Sequence, residues 1–511
     1  MTIRINSTIA SLVPLAALVV LLDRPATAQD GAPSRPNIVL FLADDMAWDD
    51  SGAYGHPTIK TPNIDALARE GLRFDRAFLT CSSCSPSRSS LITGRYPHAT
   101  GAEELHWPLP ADQVTFVERL KESGYYTAAA GKWHLGDAVK GRFDEIREAD
   151  PRGFQLPSGD DAEGEPRRSG TLGFDAAGAV QAGCDQWVPV LRDRPRDRPF
   201  FLWLAALDPH RDYREGTIPE PHSPEAMVVP PYLPDTPEVR RDLALYCDEI
   251  SRLDHHVGQV LDELDRQGVA DETLVLFLSD NGRPFPRCKT TVYDSGIRTP
   301  LIARWPGRIA PGGESGALLS AVDLAPTLLS IAGLEAGPTF QGRDASALFD
   351  DPSASIREFA FAEHNWHDYA ARKRAVRSDR YKYIRNDDAT MPLTPPADAV
   401  RSPTFAELKR LRDEGGLGPD QDACFALPRP AEELYDLDAD PHELTNLADD
   451  PRHAEVLDAM QAALDSWSAE TVDAPPVALS GDEFDRESGK PFPNRRRPRL
   501  PRPDLTGSAG R

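Results

Sequence analysis

A continuous apolar run that ends in two carboxylates constrains the fold of this chain more than any other feature. Residues 37–43 (NIVLFLA) are typical of a strand buried on both faces of a parallel sheet, and Asp44 and Asp45 follow at once. Similar runs occupy 200–206 and 273–278, with helical patterns between them. Strands that alternate with helices predict an α/β sandwich, in which helices flank a large, mostly parallel sheet.

Polar side chains that follow two of these runs predict a metal site. Asp44 and Asp45 follow the first run, and Asp280 and Asn281 follow the run at 273–278. Because the carboxyl ends of parallel strands meet in one crevice, the four side chains are expected to converge there. An all-oxygen set suits calcium better than zinc. The alternative is that both pairs simply cap or form tight turns.

The C-terminal third has a different pattern. Residues 380–386 (RYKYIRN) alternate like a half-exposed strand, and 433–447 indicate a strand, a turn and a helix start. A smaller α+β domain with an antiparallel sheet is therefore expected. We place the larger domain at 36–345 and the smaller domain at 346–470. The remaining residues, 471–511, are rich in Pro and Arg and predict an extended or disordered arm, with contact to a partner as the alternative.

The first 28 residues are typical of a secretory signal peptide. They contain Arg4, an apolar run at 9–22 and a small-residue cleavage site at 26–28 (ATA). The run is too short for a comfortable membrane span, and no membrane span is expected elsewhere. We therefore expect export to the periplasm or beyond.

Charge and cysteine content exclude some classes of protein. The net charge is −24, which argues against the basic surface that nucleic-acid-binding proteins need. An anion could bind only in a pocket where local cations and a metal outweigh the overall negative field. Six cysteines in a chain of 511 residues do not make a disulfide-dense scaffold, and their spacing does not reveal a pairing.

Residues 84–94 (CSPSRSSLITG) fit the pattern Cys-x-Pro-Ser-Arg-x4-Thr-Gly without a gap. This pattern resembles the signature of the sulfatase family. In that family a maturation enzyme oxidises the cysteine to formylglycine, whose hydrated aldehyde is the nucleophile, so the resemblance implies that Cys84 is this residue. Two other interpretations are a Ser-rich loop with Cys84 as a buried small hydrophobe, and a redox or metal pair with Cys81.

The resemblance also implies an alkaline-phosphatase-like fold and a set of site residues. Calcium would be held by Asp44, Asp45, Asp280, Asn281 and the modified Cys84. The stretch 131–134 (GKWH) resembles the family block in which Lys132 binds a sulfonyl oxygen and His134 bonds the formylglycine hydroxyl.

Three further residues have implied roles in the reaction. Arg88 would join Lys132 and Lys289 in stabilising the charge on the sulfonyl oxygens. His210, which follows the run at 200–206, resembles the histidine that faces the leaving group. His210 or Lys289 would protonate the leaving group.

Several stretches resemble one subgroup, the sulfamidases (N-sulfoglucosamine sulfohydrolases). They include 279–286 (SDNGRPFP) and 402–405 (SPTF), and the resemblance spans about 36–470 in the same order. Lys289 and Leu207 depart from the subgroup, where Arg and His are expected. The implied substrate is an N-sulfoglucosamine residue of a heparan-type glycan. The alternatives are an O-sulfatase on another glycan or aryl sulfate, a phosphonate or phosphate monoester hydrolase, and a non-catalytic glycan-binding protein.

Two polar segments are candidates for selecting the sugar. The first follows the signature helix, and the second, 363–367 (EHNWH), adds an aromatic side chain. Their polar groups would line the pocket rim, although ordinary surface polarity explains them equally well. The candidates are Glu103, Glu104, His106, His364 and His367.

Overall fold

The computed structural model describes residues 35–149, 176–476 and 478–493. The predicted leader at 1–28 therefore lies outside the described residues. Among the helices of the described ranges, none is both long and apolar enough to cross a membrane.

The larger sheet has eight strands in the order β4-β3-β5-β1-β6-β7-β2-β8. Its strands are β1 (Asn37–Ala43), β2 (Leu72–Phe78), β3 (Tyr126–Gly131), β4 (Glu145–Glu148), β5 (Phe200–Ala205), β6 (Thr273–Ser279), β7 (Leu301–Arg304) and β8 (Gly313–Ser320). All neighbours are parallel except at β7, which runs antiparallel to both β6 and β2. The predicted mostly parallel sheet is confirmed.

The smaller sheet has four antiparallel strands in the order β12-β11-β10-β9. They are β9 (Ala360–His367), β10 (Tyr369–Arg377), β11 (Tyr381–Asn386) and β12 (Glu432–Asp436). A helix at Ala454–Thr471 contacts β10 and β11. This is the predicted α+β arrangement. The two sheets belong to one compact unit, and the boundary between 345 and 346 stays a prediction.

Helices cover both faces of the larger sheet. Along β1, Val39 and Phe41 enter one apolar cluster, whereas Ile38 and Leu40 enter another. Because successive strand residues point to opposite faces, the sheet has a core on each side, which explains the uninterrupted apolar run.

The α-helices of the described residues are α1 (Pro62–Glu70), α2 (Cys84–Thr93), α3 (Pro97–Thr100), α4 (Phe116–Glu122), α5 (Ala176–Ala182), α6 (Trp187–Asp193), α7 (Pro237–Arg266), α8 (Asp294–Ile297), α9 (Leu324–Ile331), α10 (Ala397–Val400), α11 (Pro403–Glu414), α12 (Pro419–Asp422) and α13 (Ala454–Thr471).

Two details of the C-terminal region differ from expectation. The helix predicted to start within 433–447 is α13, which begins at Ala454, because residues between β12 and α13 form turns. Residues 478–493, predicted as part of an extended arm, fold back onto the smaller sheet. Phe484 is 3% exposed in the main apolar cluster, and the Glu483 amide donates to the Asp368 carbonyl at 2.9 Å. We call residues 478–493 the strap.

Candidate active site

Four neighbouring parallel strands deliver polar side chains to one edge of the larger sheet. β3, β5, β1 and β6 are adjacent in the sheet order. Their last residues are level to within one residue, since Gly131 pairs with Ala205, Ala205 with Leu42, and Ala43 with Ser279. The segments that follow these strands hold the predicted residues Lys132, His210, Asp44, Asp45, Asp280 and Asn281. The convergence expected from the strand pattern is therefore present.

The five residues predicted to hold a metal form one buried cluster. Each is 0–2% exposed. Ligand atoms of Asp44, Cys84 and Asp280 lie within 4.8 Å of one another. The Cys84 Sγ is 3.8 Å from both Asp44 Oδ1 and Asn281 Nδ2. We call these five residues, Asp44, Asp45, Cys84, Asp280 and Asn281, the strand-end cluster.

Three predicted cations neutralise the carboxylates of the strand-end cluster. Lys132 Nζ contacts Asp44 Oδ2. Lys289 Nζ lies 2.7 Å from Asp45 Oδ2, and Lys289 itself is 1% exposed. Each of these lysines is a buried ammonium beside a carboxylate of the cluster, a position in which it can also bind a substrate anion.

Arg88 is tied to the cluster more tightly than expected. Its Nε donates to Asp280 Oδ2 at 2.7 Å, and its Nη1 donates to the Lys132 carbonyl at 3.1 Å. Arg88 is 0% exposed, so its first effect is to fix Asp280 and the segment after β3. Its remaining nitrogen, Nη2, is buried, donates no hydrogen bond to the described residues and lies 4.0 Å from Asp44 Oδ1.

Two carboxylates of the cluster, Asp44 and Asp280, have pKa values shifted in opposite directions. Burial alone would raise the pKa of Asp44, but the charges of Lys132, His210 and Arg88 together hold that pKa well below its usual range. Burial raises the pKa of Asp280 to about 6, because the charge of Arg88 only partly offsets it. Asp280 is thus the carboxylate of the two that holds a proton more readily.

Asn281 supplies evidence that the cluster fits a cation. Its Nδ2 donates to Asp280 Oδ1 at 2.9 Å and also contacts Asp45 Oδ1. Its Oδ1 is buried and accepts no hydrogen bond from the described part of the chain. A buried acceptor without a donor is costly, and beside three carboxylates it is the kind of group that an oxygen-ligated metal ion satisfies. The residues present therefore fit a metal ion.

Cys84 is the first residue of α2 and is 2% exposed. Burial raises the pKa of its thiol to about 12, despite the charges of Lys132 and Lys289. The unmodified side chain is therefore a neutral thiol at neutral pH. All six cysteines are free, so Cys81 and Cys84 do not form a disulfide.

Two histidines form a hydrogen-bonded pair at the mouth of the site. His134 Nε2 lies 2.8 Å from His106 Nδ1. His106 is exposed, and its backbone amide donates to Ser85 Oγ at 2.8 Å, inside the signature helix. Burial strongly lowers the pKa of His134, and the neighbouring His106 adds to this effect. The pair links the buried site to solvent.

His210 is oriented by backbone and by α7. Its Nδ1 lies 2.6 Å from the Arg211 carbonyl oxygen, which can only accept, so Nδ1 carries a proton and Nε2 is the nitrogen that faces the site. Nε2 lies 3.8 Å from Asp45 Oδ2. The residues on either side of this segment are anchored by α7, since Arg252 binds both oxygens of Asp208 at 2.7 Å.

The five predicted rim residues divide into two groups. His106 borders the site, and His367 Nδ1 lies 2.8 Å from Ser83 Oγ, next to Cys84. Glu104, in contrast, binds Ser480 of the strap through both carboxylate oxygens. Glu103 and His364 are 0% and 2% exposed. His106 and His367 bond to Ser85 and Ser83, the two neighbours of Cys84, and they are the two residues we keep as rim candidates.

The aromatic side chain expected to face a sugar does not do so. Trp366 is 2% exposed and packs against Cys84 and Leu105, and its Nε1 donates to the Gly481 carbonyl of the strap at 2.9 Å. In the structure it covers one side of Cys84 with apolar surface.

Sequence reasoning missed one residue at this site. Asp398 in α10 places its Oδ2 3.8 Å from His210 Nε2. Asp398 follows no buried strand and belongs to no recognised motif, so no signal in a single sequence could have found it.

Comparisons with known proteins agree with this geometry. A family model described as sulfatase matches residues 36–334. The chain belongs to the sulfatase family. It is a hydrolase of sulfate esters or sulfamates. A second family model, the C-terminal domain of N-sulphoglucosamine sulphohydrolase, matches residues 287–391.

Curated relatives of this sulfatase are about one-third identical to it. The human N-sulphoglucosamine sulphohydrolase is 33% identical over 480 residues, which cover 86% of this chain and 91% of the relative. An ulvan-active sulfatase of Formosa agariphila is 31% identical over 465 residues, covering 85% and 75%. Human arylsulfatase A is 33% identical over 397 residues, covering 68% and 74%.

Solved structures share the fold. A protein solved in complex with its substrate D-glucosamine-2-N,6-O-disulfate has a TM-score of 0.64 at 20% identity, covering 87% of this chain and 99% of that one. The phosphonate monoester hydrolase of Agrobacterium radiobacter also has a TM-score of 0.64, at 21% identity, covering 86% and 96%. At these identities the likeness supports the fold alone.

Proposed function

We propose that this sulfatase depends on calcium and formylglycine and removes the N-sulfo group from a glucosamine residue of a heparan-type glycan. The observation that carries the chemistry is the strand-end cluster, in which Cys84 lies among three carboxylates and an amide oxygen that accepts no hydrogen bond from the described residues. The match of the C-terminal family model and the 86% coverage by the human N-sulphoglucosamine sulphohydrolase support the sulfamate substrate.

The chain's own residues divide the work of binding the sulfo group. Asp44, Asp45, Asp280 and Asn281 would hold the calcium ion together with residue 84. When bound, the ion would stabilise negative charge on the sulfonyl oxygens, and formylglycine derived from Cys84 would supply the nucleophilic oxygen. Lys132 and Lys289 are preorganised ammonium groups for the sulfonyl oxygens, because the cluster fixes them before substrate arrives.

Two histidines are placed for proton transfer. His210 Nε2 is the proton donor to the leaving nitrogen, since its Nδ1 is committed to the Arg211 carbonyl. His134 is the base for the step that releases sulfate. Its contact with the exposed His106 gives the accepted proton a route to solvent.

Sugar selection is proposed for His106 and His367 rather than for the full predicted rim. Glu104 is occupied by Ser480, and Glu103 and His364 are buried. His367→Ala should lower kcat/KM for N-sulfoglucosamine by about tenfold, whereas Glu104→Ala should change it by less than about threefold. Equal effects of the two substitutions would contradict this assignment.

Maturation and location complete the proposal. The partner that modifies Cys84 is a formylglycine-generating maturation enzyme, and the site of action is the periplasm or the exterior. These statements rest on the signature at 84–94 and on the leader pattern at 1–28.

The decisive experiment combines mass and activity. Protein made with the maturation enzyme should give a tryptic peptide about 18 Da lighter than the cysteine form, because a carbonyl oxygen replaces the thiol. The same preparation should release sulfate from N-sulfoglucosamine faster than from glucosamine 6-sulfate. A lighter peptide without activity on the N-sulfated sugar would contradict the substrate, and an unmodified thiol in active protein would contradict the nucleophile.

An O-sulfatase is the second candidate, favoured by the similarity to arylsulfatase A and to the ulvan-active sulfatase. It uses the same cluster on a sulfate ester. Faster release from glucosamine 6-sulfate or nitrophenyl sulfate than from N-sulfoglucosamine would select it.

A further inference from the structure

We propose that Asp398 is a specificity residue that receives the leaving amine and thereby favours sulfamates over sulfate esters. This inference rests on the proposed function, because it concerns the leaving group of the same site. It assigns a substrate contact to the smaller domain, whose α10 segment lies against the His210 side of the cluster.

The position of Asp398 is the first argument. Its Oδ2 is 3.8 Å from His210 Nε2, the same distance that separates this nitrogen from Asp45 Oδ2. Carboxylate oxygens of Asp45 and Asp398 and the histidine nitrogen all lie within 4.8 Å of one another. The group that His210 protonates must therefore come within reach of Asp398.

The unused oxygen of Asp398 is the second argument. Its Oδ1 accepts from the Ala399 amide at 2.7 Å, but its Oδ2 is buried and accepts no hydrogen bond from the described residues. The side chain is 15% exposed. Arg211, the residue after His210, donates to Asp242 and to the Pro284 carbonyl. A carboxylate oxygen left open in this way beside a proton donor has no evident structural role.

The chemistry of the leaving group is the third argument. In sulfamate hydrolysis the S–N bond breaks, its electron pair goes to nitrogen, and nitrogen takes one proton from His210, which gives R–NH₂. The free amine then takes a second proton from solvent. Overall, R–NH–SO₃⁻ and water give R–NH₃⁺ and SO₄²⁻, so the organic product is a cation. A sulfate ester gives a neutral alcohol instead. A carboxylate beside the leaving group binds the developing ammonium by a charge-assisted hydrogen bond, which is roughly twice as strong as a neutral one.

The test compares Asp398→Asn with wild type on two substrates, N-sulfoglucosamine and nitrophenyl sulfate, using full-length protein matured at Cys84. The ratio of kcat/KM for the sulfamate to kcat/KM for the ester should fall about tenfold in the variant. The matched control is Asp413→Asn, an exposed carboxylate on the neighbouring helix α11, which should leave the ratio unchanged. An unchanged ratio in Asp398→Asn, whether both rates fall or neither does, would overturn the inference.

A second measurement needs no stable variant. Glucosamine should inhibit hydrolysis of nitrophenyl sulfate by the wild-type enzyme at least about tenfold more strongly than N-acetylglucosamine does, because only the former carries an ammonium. Equal inhibition would overturn the inference. A wild-type enzyme that fails to cleave N-sulfoglucosamine would overturn the proposed function as well, whereas active enzyme with an unchanged ratio would overturn the role of Asp398 alone.

Discussion

Two buried charge networks lie side by side in this protein and differ in whether they are complete. Around Arg211, every guanidinium nitrogen has a partner: both terminal nitrogens bind Asp242 at 2.7–2.8 Å, and Nε binds the Pro284 carbonyl. Asp242 also accepts from Thr404 at 2.6 Å. In the strand-end cluster and the adjoining Arg88, by contrast, Asn281 Oδ1 and Arg88 Nη2 have no hydrogen-bond partner among the described residues. A complete network holds the fold, whereas an incomplete one has capacity left for a ligand.

The largest effect should come from the incomplete network. Cys84→Ser should lower turnover by at least about a thousandfold, because a serine that attacks sulfur has no second hydroxyl on the same carbon to expel sulfate. Thermal unfolding should change little, since the two side chains are similar in size. Cys81→Ser is the matched control, 1% exposed and three residues away, and should keep activity within about threefold. Substantial turnover by Cys84→Ser would contradict the assignment.

Disrupting the complete network around Arg211 should instead lower the stability of the fold. Asp242→Asn removes one partner of a fully buried pair and should lower the free energy of unfolding by about 3 kcal/mol, measured by urea denaturation. Glu70→Gln removes half of an exposed pair with Arg304 and should cost less than about 1 kcal/mol. Similar losses in the two variants would show that burial does not set the difference.

Removal of the metal ion should distinguish the strand-end cluster from buried polar groups elsewhere in the protein. A chelator should reduce activity by at least about tenfold, and added Ca²⁺ should restore it. Asn281→Ala should raise the Ca²⁺ concentration for half-maximal activity about tenfold. Asn386→Ala, which alters a buried amide of the smaller sheet, should not. Full activity in the presence of excess chelator would refute the cation site.

A buried carboxylate that accepts hydrogen bonds from neutral donors should make the stability depend on pH. Asp254 on α7 accepts from the backbone amides of Asn63 and Ile64, and burial raises its pKa to about 7. Since the pKa in the folded state exceeds that in the unfolded state, its stabilising contribution is present below about pH 4 and is lost as the pH rises towards 7, by about 1 kcal/mol per unit.

The comparison that checks this is wild type against Asp254→Asn in urea at pH 5 and pH 8. The stability of wild type relative to the variant should fall between the two values. The exposed Asp262→Asn on the same helix is the control. A pH-independent difference for Asp254→Asn would contradict the raised pKa.

The strand-end cluster could be predicted because each member follows a buried apolar run or sits in a local motif, and parallel topology brings such ends together. The ends of β1 and β6 fall within a residue of the predicted runs. Asp398 and the burial of Trp366 could not be predicted, because both arise from packing of C-terminal segments, α10 and the strap, around the site. The sequence of the strap is mostly polar and contains Pro, which favours an extended arm. In the structure, however, its aromatic residue Phe484 is buried in the main apolar cluster.

The strap has a practical consequence for anyone who shortens or tags the protein. Through Ser480 and Gly481 it holds Glu104 and Trp366, and Trp366 is the wall behind Cys84. A fusion junction placed at the end of α13 would therefore remove a support of the nucleophile position, although no catalytic side chain lies beyond that helix in the proposed site. Expression boundaries should be set after residue 493, and a protease cut near 477 should be read as an inactivating event rather than as trimming.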